Sequence, residues 1–188
     1  MKMAIFGNSP DRQPIRLHGY DYAQNGFYYV TICTQDAQPF FGHIHKGIMC
    51  LTEVGTMAAR FWLDIPYHYP FVILDEFNVL PNHLHGIIEI RKPAGLQIPP
   101  VGIQNFESLP GTNNLSCHRQ HIYQHTLPNS LGSIVRAYKS ALTLWCRRNG
   151  HADFKWQRLF YDHIIRSDES LQRIRNYVHY NTLKHSPD

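Results

Sequence analysis

The spacing of hydrophobic and polar positions changes character partway along the chain. Residues 26–35, "GFYYVTICTQ", run through β-branched and aromatic side chains with little polar relief, the composition of a buried strand. "FFGHIHKGIMCLT" holds two short apolar runs on either side of Lys46-Gly47 and predicts a hairpin turning there. In 52–66, "TEVGTMAARFWLDIP", Val54, Met57, Ala58 and Phe61 fall at i, i+3, i+4 and i+7 behind Thr52, so an amphipathic helix capped by that threonine is predicted. Strand patterning then returns in 71–81, "FVILDEFNVLP", and 83–91, "HLHGIIEIR", joined tightly at Pro81-Asn82.

Residues 93–128 are dominated by Gly, Pro, Asn, Ser and Gln and keep no period, which reads as a long loop or flexible insert. Beyond it the period is helical. In 130–148, Leu131, Ile134, Val135, Tyr138, Leu142 and Trp145 share one face, with Arg136, Lys139, Arg147 and Arg148 elsewhere. Residues 154–167 read as a strand or extended connector. In 167–181, Ser167 stands ready to cap a helix whose first turn holds Asp168 and Glu169 and whose stripe is Leu171, Ile174 and Val178. There is no internal repeat. The sum is an α+β chain: one domain over 1–188, built on an antiparallel β-sheet with helices packed on one side.

Composition narrows the class. With 43% hydrophobic and 13% aromatic residues and no run of like charge, the chain has the means to bury a core. No apolar stretch reaches the roughly 18–20 residues that a membrane-spanning helix needs, and the N-terminal apolar run is too short for a secretory signal, so a cytoplasmic protein is expected. Cys33, Cys50, Cys117 and Cys146 are widely spaced, as reduced thiols would be rather than a disulfide framework. The net charge of +4 is unevenly placed: residues 1–94 carry seven Lys/Arg against eight Asp/Glu, and residues 95–188 carry eleven against six. A basic half suits an acidic partner such as nucleic acid, although a solvated helix face would give the same count.

Candidate chemistry centres on His83 and His85. On a strand, residues i and i+2 point to one face, so the two imidazoles are presented together, as two ligands of a divalent cation would be. An ordinary half-exposed pair has the same spacing, and so has the second pair, His43 and His45. A site needs a further ligand from elsewhere. Asn181 offers a carbonyl oxygen, and Tyr177, four residues earlier, lies on the same helical face. Its phenol is a weak nucleophile at its free pKa near 10, but it becomes a plausible one beside a metal-bound phosphate; a simple packing role is the alternative.

The order and wording of "LDEFNVLPNHLHGIIEI", "GSIVRAYKSALT" and "FKWQRLFYDHIIRSDESLQRIRNYVHYNTLKH" resemble the REP-associated tyrosine transposases, a group within the HUH single-tyrosine transposases of bacterial insertion sequences. The resemblance runs from about residue 14 to 185, leaving out 93–128. It implies a ferredoxin- or RRM-like palm in which His83 and His85 are the metal-binding pair, Asn181 the third ligand and Tyr177 the nucleophile. The hairpin of His43 and His45 has no catalytic role in that family. The implied activity is cleavage and rejoining of single-stranded DNA with Mg²⁺ or Mn²⁺, through a 5′-phosphotyrosine link and a free 3′-OH. The implied partner is single-stranded or hairpin DNA, often a repetitive extragenic palindrome, bound by a monomer or homodimer associated with the nucleoid. Arg136, Lys139, Arg147, Arg148, Lys155, Arg158 and Arg166 would then line the DNA path. Two positions depart from the family: Thr182 follows Asn181 where proline is usual, and His185 stands where a tryptophan often does. A catalytically silent hairpin-binding protein of the same fold is the alternative.

Overall fold

Strand β1 (Gly26–Cys33) organises the rest of the molecule. The computed structural model describes residues 17, 19–95 and 127–181; of the segment 93–128, read above as an insert, only the ends fall within them. After β1 come the hairpin β2 (Gly42–His45) and β3 (Ile48–Leu51), helices α1 (Glu53–Leu63) and α2 (Ile65–His68), then β4 (Val72–Leu80) and β5 (His83–Ile90). Helix α3 (Leu131–Arg148), strand β6 (Tyr161–Ile165) and helix α4 (Asp168–Tyr180) follow. The main sheet has the order β4-β5-β1-β6, every pair antiparallel, with β2 and β3 forming a separate two-stranded sheet. This is the α+β architecture expected from the sequence, and the residues read as a strand or connector contribute β6, paired to β1.

Local signals place these elements. Lys46 and Gly47 both take positive φ, 49° and 76°, which a two-residue hairpin turn requires. The side chains of Thr52, Ser130 and Ser167 accept the Gly55, Ser133 and Ser170 amides and so cap α1, α3 and α4. In α1 the buried face is Val54, Gly55, Ala58 and Trp62, with Met57 and Phe61 at its margin. The stripe is thus rotated slightly from the expected one, because the largest side chain, Trp62, takes the centre of the contact.

The expectation that the helices pack on one side of the sheet holds for α1, α2 and α3 and fails for α4. Alternate residues of β1 separate two cores. Tyr28, Val30 and Ile32 join Leu84, Ile88, Trp62, Ile134 and Tyr138 on the first face. Tyr29 joins Ile87, Ile165, Leu171 and Val178 on the second, beneath α4. The physical reason lies in β1 itself: Phe27 and Tyr29 on its second face, with Ile87 of β5 beside them, are apolar, and a strand apolar on both faces needs cover on both. A helix of this length is marginal by itself in water. Burial of Leu171 and Val178, each contributing about 1.5–3 kcal/mol at full burial, holds it on the sheet.

Candidate active site

His83 and His85 lie on the second face of β5, directly under α4. Their side chains converge, with the two Nε2 atoms 2.9 Å apart. The Asn181 amide, at the C-cap of α4, lies 2.6 Å from His85 Nε2. His85 is 3% exposed and Asn181 also 3%, so these two are withdrawn from water, while His83 stays partly exposed.

Each imidazole is oriented from behind. His83 Nδ1 lies 2.6 Å from Asn82 Oδ1, while Asn82 Nδ2 donates to the Ala37 carbonyl at 3.3 Å. With that oxygen as acceptor, His83 carries its proton on Nδ1 and turns a lone pair outward from Nε2. His85 Nδ1 lies 2.8 Å from the Tyr29 hydroxyl and 3.0 Å from Thr31 Oγ1, and Thr31 in turn donates to Tyr29 at 3.1 Å. Tyr29 and Thr31 stand on β1 opposite β5, where Thr31 pairs with His85 in register.

Tyr177 closes the cluster from α4. Its ring is 5.5 Å from that of His85 and 6.3 Å from that of Tyr29, both edge to face. Burial raises its pKa above that of a free phenol, and hydrogen bonds with Asn181 and Tyr29 work the other way, by favouring the phenolate. Burial similarly pushes the Tyr29 hydroxyl far above its ordinary value, so Tyr29 stays protonated. Beside His83, a groove of about 340 Å³ opens between the β4–β5 turn and the β2–β3 hairpin, lined by Pro39, Gly42, His43, Ile44, Pro81 and Asn82.

The donor set fits a divalent cation. Adjacent ligands at octahedral bond lengths of about 2.1 Å sit about 3.0 Å apart, close to the 2.9 Å between the two Nε2 atoms. An amide turned by half a rotation presents oxygen in place of nitrogen, so Asn181 can complete the set. Among the described residues no group of three or more His, Cys, Asp or Glu converges on a point; the cluster is two histidines and an amide.

Comparison with known proteins places the chain. It is 37% identical over 174 residues to an uncharacterised protein of Haemophilus influenzae, covering 92% of this chain and 88% of that one. The chain belongs to that protein's family. A second Haemophilus influenzae relative, provisionally assigned as a REP-associated tyrosine transposase, is 22% identical over 165 residues, 88% of this chain and 74% of that one. The fold matches that of a REP-associated tyrosine transposase solved bound to a REP hairpin, with a TM-score of 0.57 at 18% identity over 93% of this chain and 75% of that chain. No family model matches. The resemblance to the REP-associated tyrosine transposases drawn from the sequence therefore holds, and the family's fold is the one seen here.

Within that fold, His83, His85, Tyr177 and Asn181 are brought together, whereas the basic residues are not gathered in one place. Arg136, Arg147 and Arg148 are exposed on α3, across the sheet from the histidines. Lys139 is held in a structural contact: its ammonium donates to the Gln157 carbonyl at 2.6 Å and lies over the Trp156 ring, and burial lowers its pKa to about 8. Lys155, Arg158 and Arg166 are exposed on the segments flanking β6. The connector before β6 meets the sheet at the His83 end of β1, where Gln157 donates to the Cys33 carbonyl and Cys33 pairs with His83. Sequence reasoning missed Tyr29, Thr31 and Asn82. The period-two alternation of β1 put Tyr29 and Thr31 on one face, but nothing local said which strand would pair with it. Asn82 read only as a turn residue. Among the described residues, no helix is long and apolar enough to cross a membrane.

Proposed function

We propose that the protein is a metal-dependent enzyme that nicks and rejoins single-stranded DNA at hairpins, through a 5′-phosphotyrosine on Tyr177. The observation that supports this reading is the convergence of His83 Nε2, His85 Nε2 and the Asn181 amide beside the Tyr177 ring. The related structure solved with a REP hairpin supports hairpin DNA as the substrate.

In this mechanism Tyr177 Oη gives up its proton to water and attacks a backbone phosphorus, the bond to the 3′ oxygen breaks, and that oxygen takes a proton from water to leave as a free 3′-OH. Rejoining is the reverse attack by a 3′-OH on the tyrosyl phosphate, so no nucleotide cofactor is consumed. A Mg²⁺ or Mn²⁺ ion held by His83, His85 and Asn181 would supply Lewis-acid polarisation of a non-bridging phosphate oxygen. The chain's own groups do the rest. Asn82 holds His83 in the tautomer that presents Nε2, and Tyr29 with Thr31 does so for His85. Hydrogen bonds from Asn181 and Tyr29 stabilise the phenolate as the Tyr177 proton leaves. Lys155, Arg158 and Arg166 supply phosphate contacts along the flanks of β6, making affinity salt-dependent.

The test is a hairpin oligonucleotide with a single-stranded flank, incubated with the protein and Mn²⁺ and run on a denaturing gel. A covalent protein–DNA band is expected from the wild type and none from Tyr177→Phe. Hairpin binding with no band under any metal would leave the hairpin-binding reading instead. Cleavage that survives Tyr177→Phe without an adduct would indicate attack by water.

A further inference from the structure

The register of β4 against β5 shifts between Leu74 and Phe77, where α4 lies over the strand. Bulges re-aim side chains, and here both residues inside the shift are acidic. Asp75 accepts from Arg175 of α4 through both carboxylate oxygens, from Nε at 2.9 and 3.1 Å and from Nη2 at 2.5 Å. Glu76 Oε2 lies 3.7 Å from His179 Nδ1, one helical turn further on. Asn78 Nδ2, two residues beyond, donates to the Val178 carbonyl at 3.3 Å. The three contacts grip the turn of α4 that contains Tyr177 and leads into Asn181.

We infer that the acidic bulge of β4 is a clamp that sets the rotation of α4 about its axis, and that Asp75 and Arg175 are positioning residues for Tyr177 and Asn181. The inference rests on the reading of Tyr177 and Asn181 given above. Apolar contact alone does not define this geometry. Leu171, Ile174 and Val178 make non-directional contacts that survive small rotations, whereas a bidentate guanidinium–carboxylate pair is directional. One residue of a helix corresponds to about 100° of rotation, so a modest turn of α4 carries Asn181 away from His85. The Arg175 side chain is 37% exposed, and partly exposed pairs of this kind add little stability. The contact therefore bears on placement more than on folding.

The experiment compares Asp75→Asn and Arg175→Lys with wild type in three measurements: adduct formation with a hairpin oligonucleotide, Mn²⁺ affinity by electron paramagnetic resonance, and thermal unfolding. Lysine keeps the charge and loses the two-pronged geometry. A misplacement of about 1 Å can cost about 100-fold in rate, so each variant should form adduct at least about tenfold more slowly. Each should need correspondingly more Mn²⁺, with hairpin affinity held within about twofold and Tm lowered by about 4 °C or less. Rates and Mn²⁺ affinity equal to wild type overturn the inference. So does a rate loss that merely tracks a large fall in Tm. If the wild type forms no adduct, the transposase reading fails by itself, and Mn²⁺ affinity still decides the clamp. If the wild type binds no Mn²⁺ either, both fall.

Discussion

Gly86 lies between His85 and Ile87, on the opposite face of β5 from the histidines, and the Trp62 ring occupies the space a side chain would need. A Cβ at Gly86 would sit 2.3 Å from Trp62 Cζ2, 2.9 Å from Cε2 and 3.0 Å from Cη2. Ordinary contact begins at 3.4 Å, so the ring must retreat by about 1.1 Å. It has little room to do so: Trp62 is fully buried, edge-on to Tyr138 at 5.4 Å and tilted against Phe77 at 6.3 Å. Its indole N–H has no hydrogen-bond partner among the described residues, so packing alone holds it. Overpacking of this kind costs about 1–3 kcal/mol. At about 2–4 °C per kcal/mol for a chain of this size, Gly86→Ala should lower Tm by about 2–12 °C in a thermal melt followed by circular dichroism. Trp62→Phe removes the benzo edge that collides. In a double-mutant cycle the pair should therefore be less damaging than the sum of the single variants, by about 1 kcal/mol or more. A Tm for Gly86→Ala within about 1 °C of wild type, or strict additivity of the two changes, would refute the reasoning.

Two further outcomes follow from the hydrogen bonds around the site. Tyr29→Phe removes one partner of His85 Nδ1 and leaves Thr31, so Mn²⁺ affinity measured by calorimetry should fall about tenfold. Tyr29→Phe with Thr31→Val removes both and should cost about 100-fold; unchanged affinity in the double variant would mean that His85 does not depend on them. The second outcome concerns acid stability. Hydrogen bonding from Arg175, the largest effect and opposed by burial, holds the Asp75 carboxyl below the usual aspartate range. Because the folded value lies below the unfolded one, the pair's contribution is present above the ordinary carboxylate range and is lost as pH falls through it toward the folded value. As pH falls from about 5 through the ordinary aspartate range, wild-type Tm should fall more steeply than that of Asp75→Asn, and the gap between them should narrow. Parallel curves would show that the pair contributes nothing.

The sequence by itself determined most of the elements and narrowed the candidate chemistry to a few positions, among which the family resemblance singled out His83, His85, Tyr177 and Asn181. Runs of β-branched and aromatic residues marked the strands, i, i+3, i+4 stripes marked the helices, and Thr52 and Ser167 stood out at helix starts because short hydroxyls satisfy free amides locally; the structure adds Ser130 as a third such cap. His83 and His85 shared a face by strand geometry, and Tyr177 and Asn181 shared one by helix geometry. What brings the two pairs together was not local. It depended on α4 crossing to the face of the sheet opposite α1 and α3, and the cue for that was the double-sided apolar character of β1, whose Phe27 and Tyr29 lie on the second face beside Ile87. Only the tertiary structure decided the register of β1 on β5, which puts Thr31 opposite His85, and the bulge in β4 that turns Asp75 toward Arg175. It also decided that Lys139 anchors a connector and that the α3 arginines lie across the sheet from the site. Periodicity reports which side of an element is buried, because burial acts residue by residue. It says nothing of what lies across the gap, since strand pairing and helix docking join residues far apart in the chain.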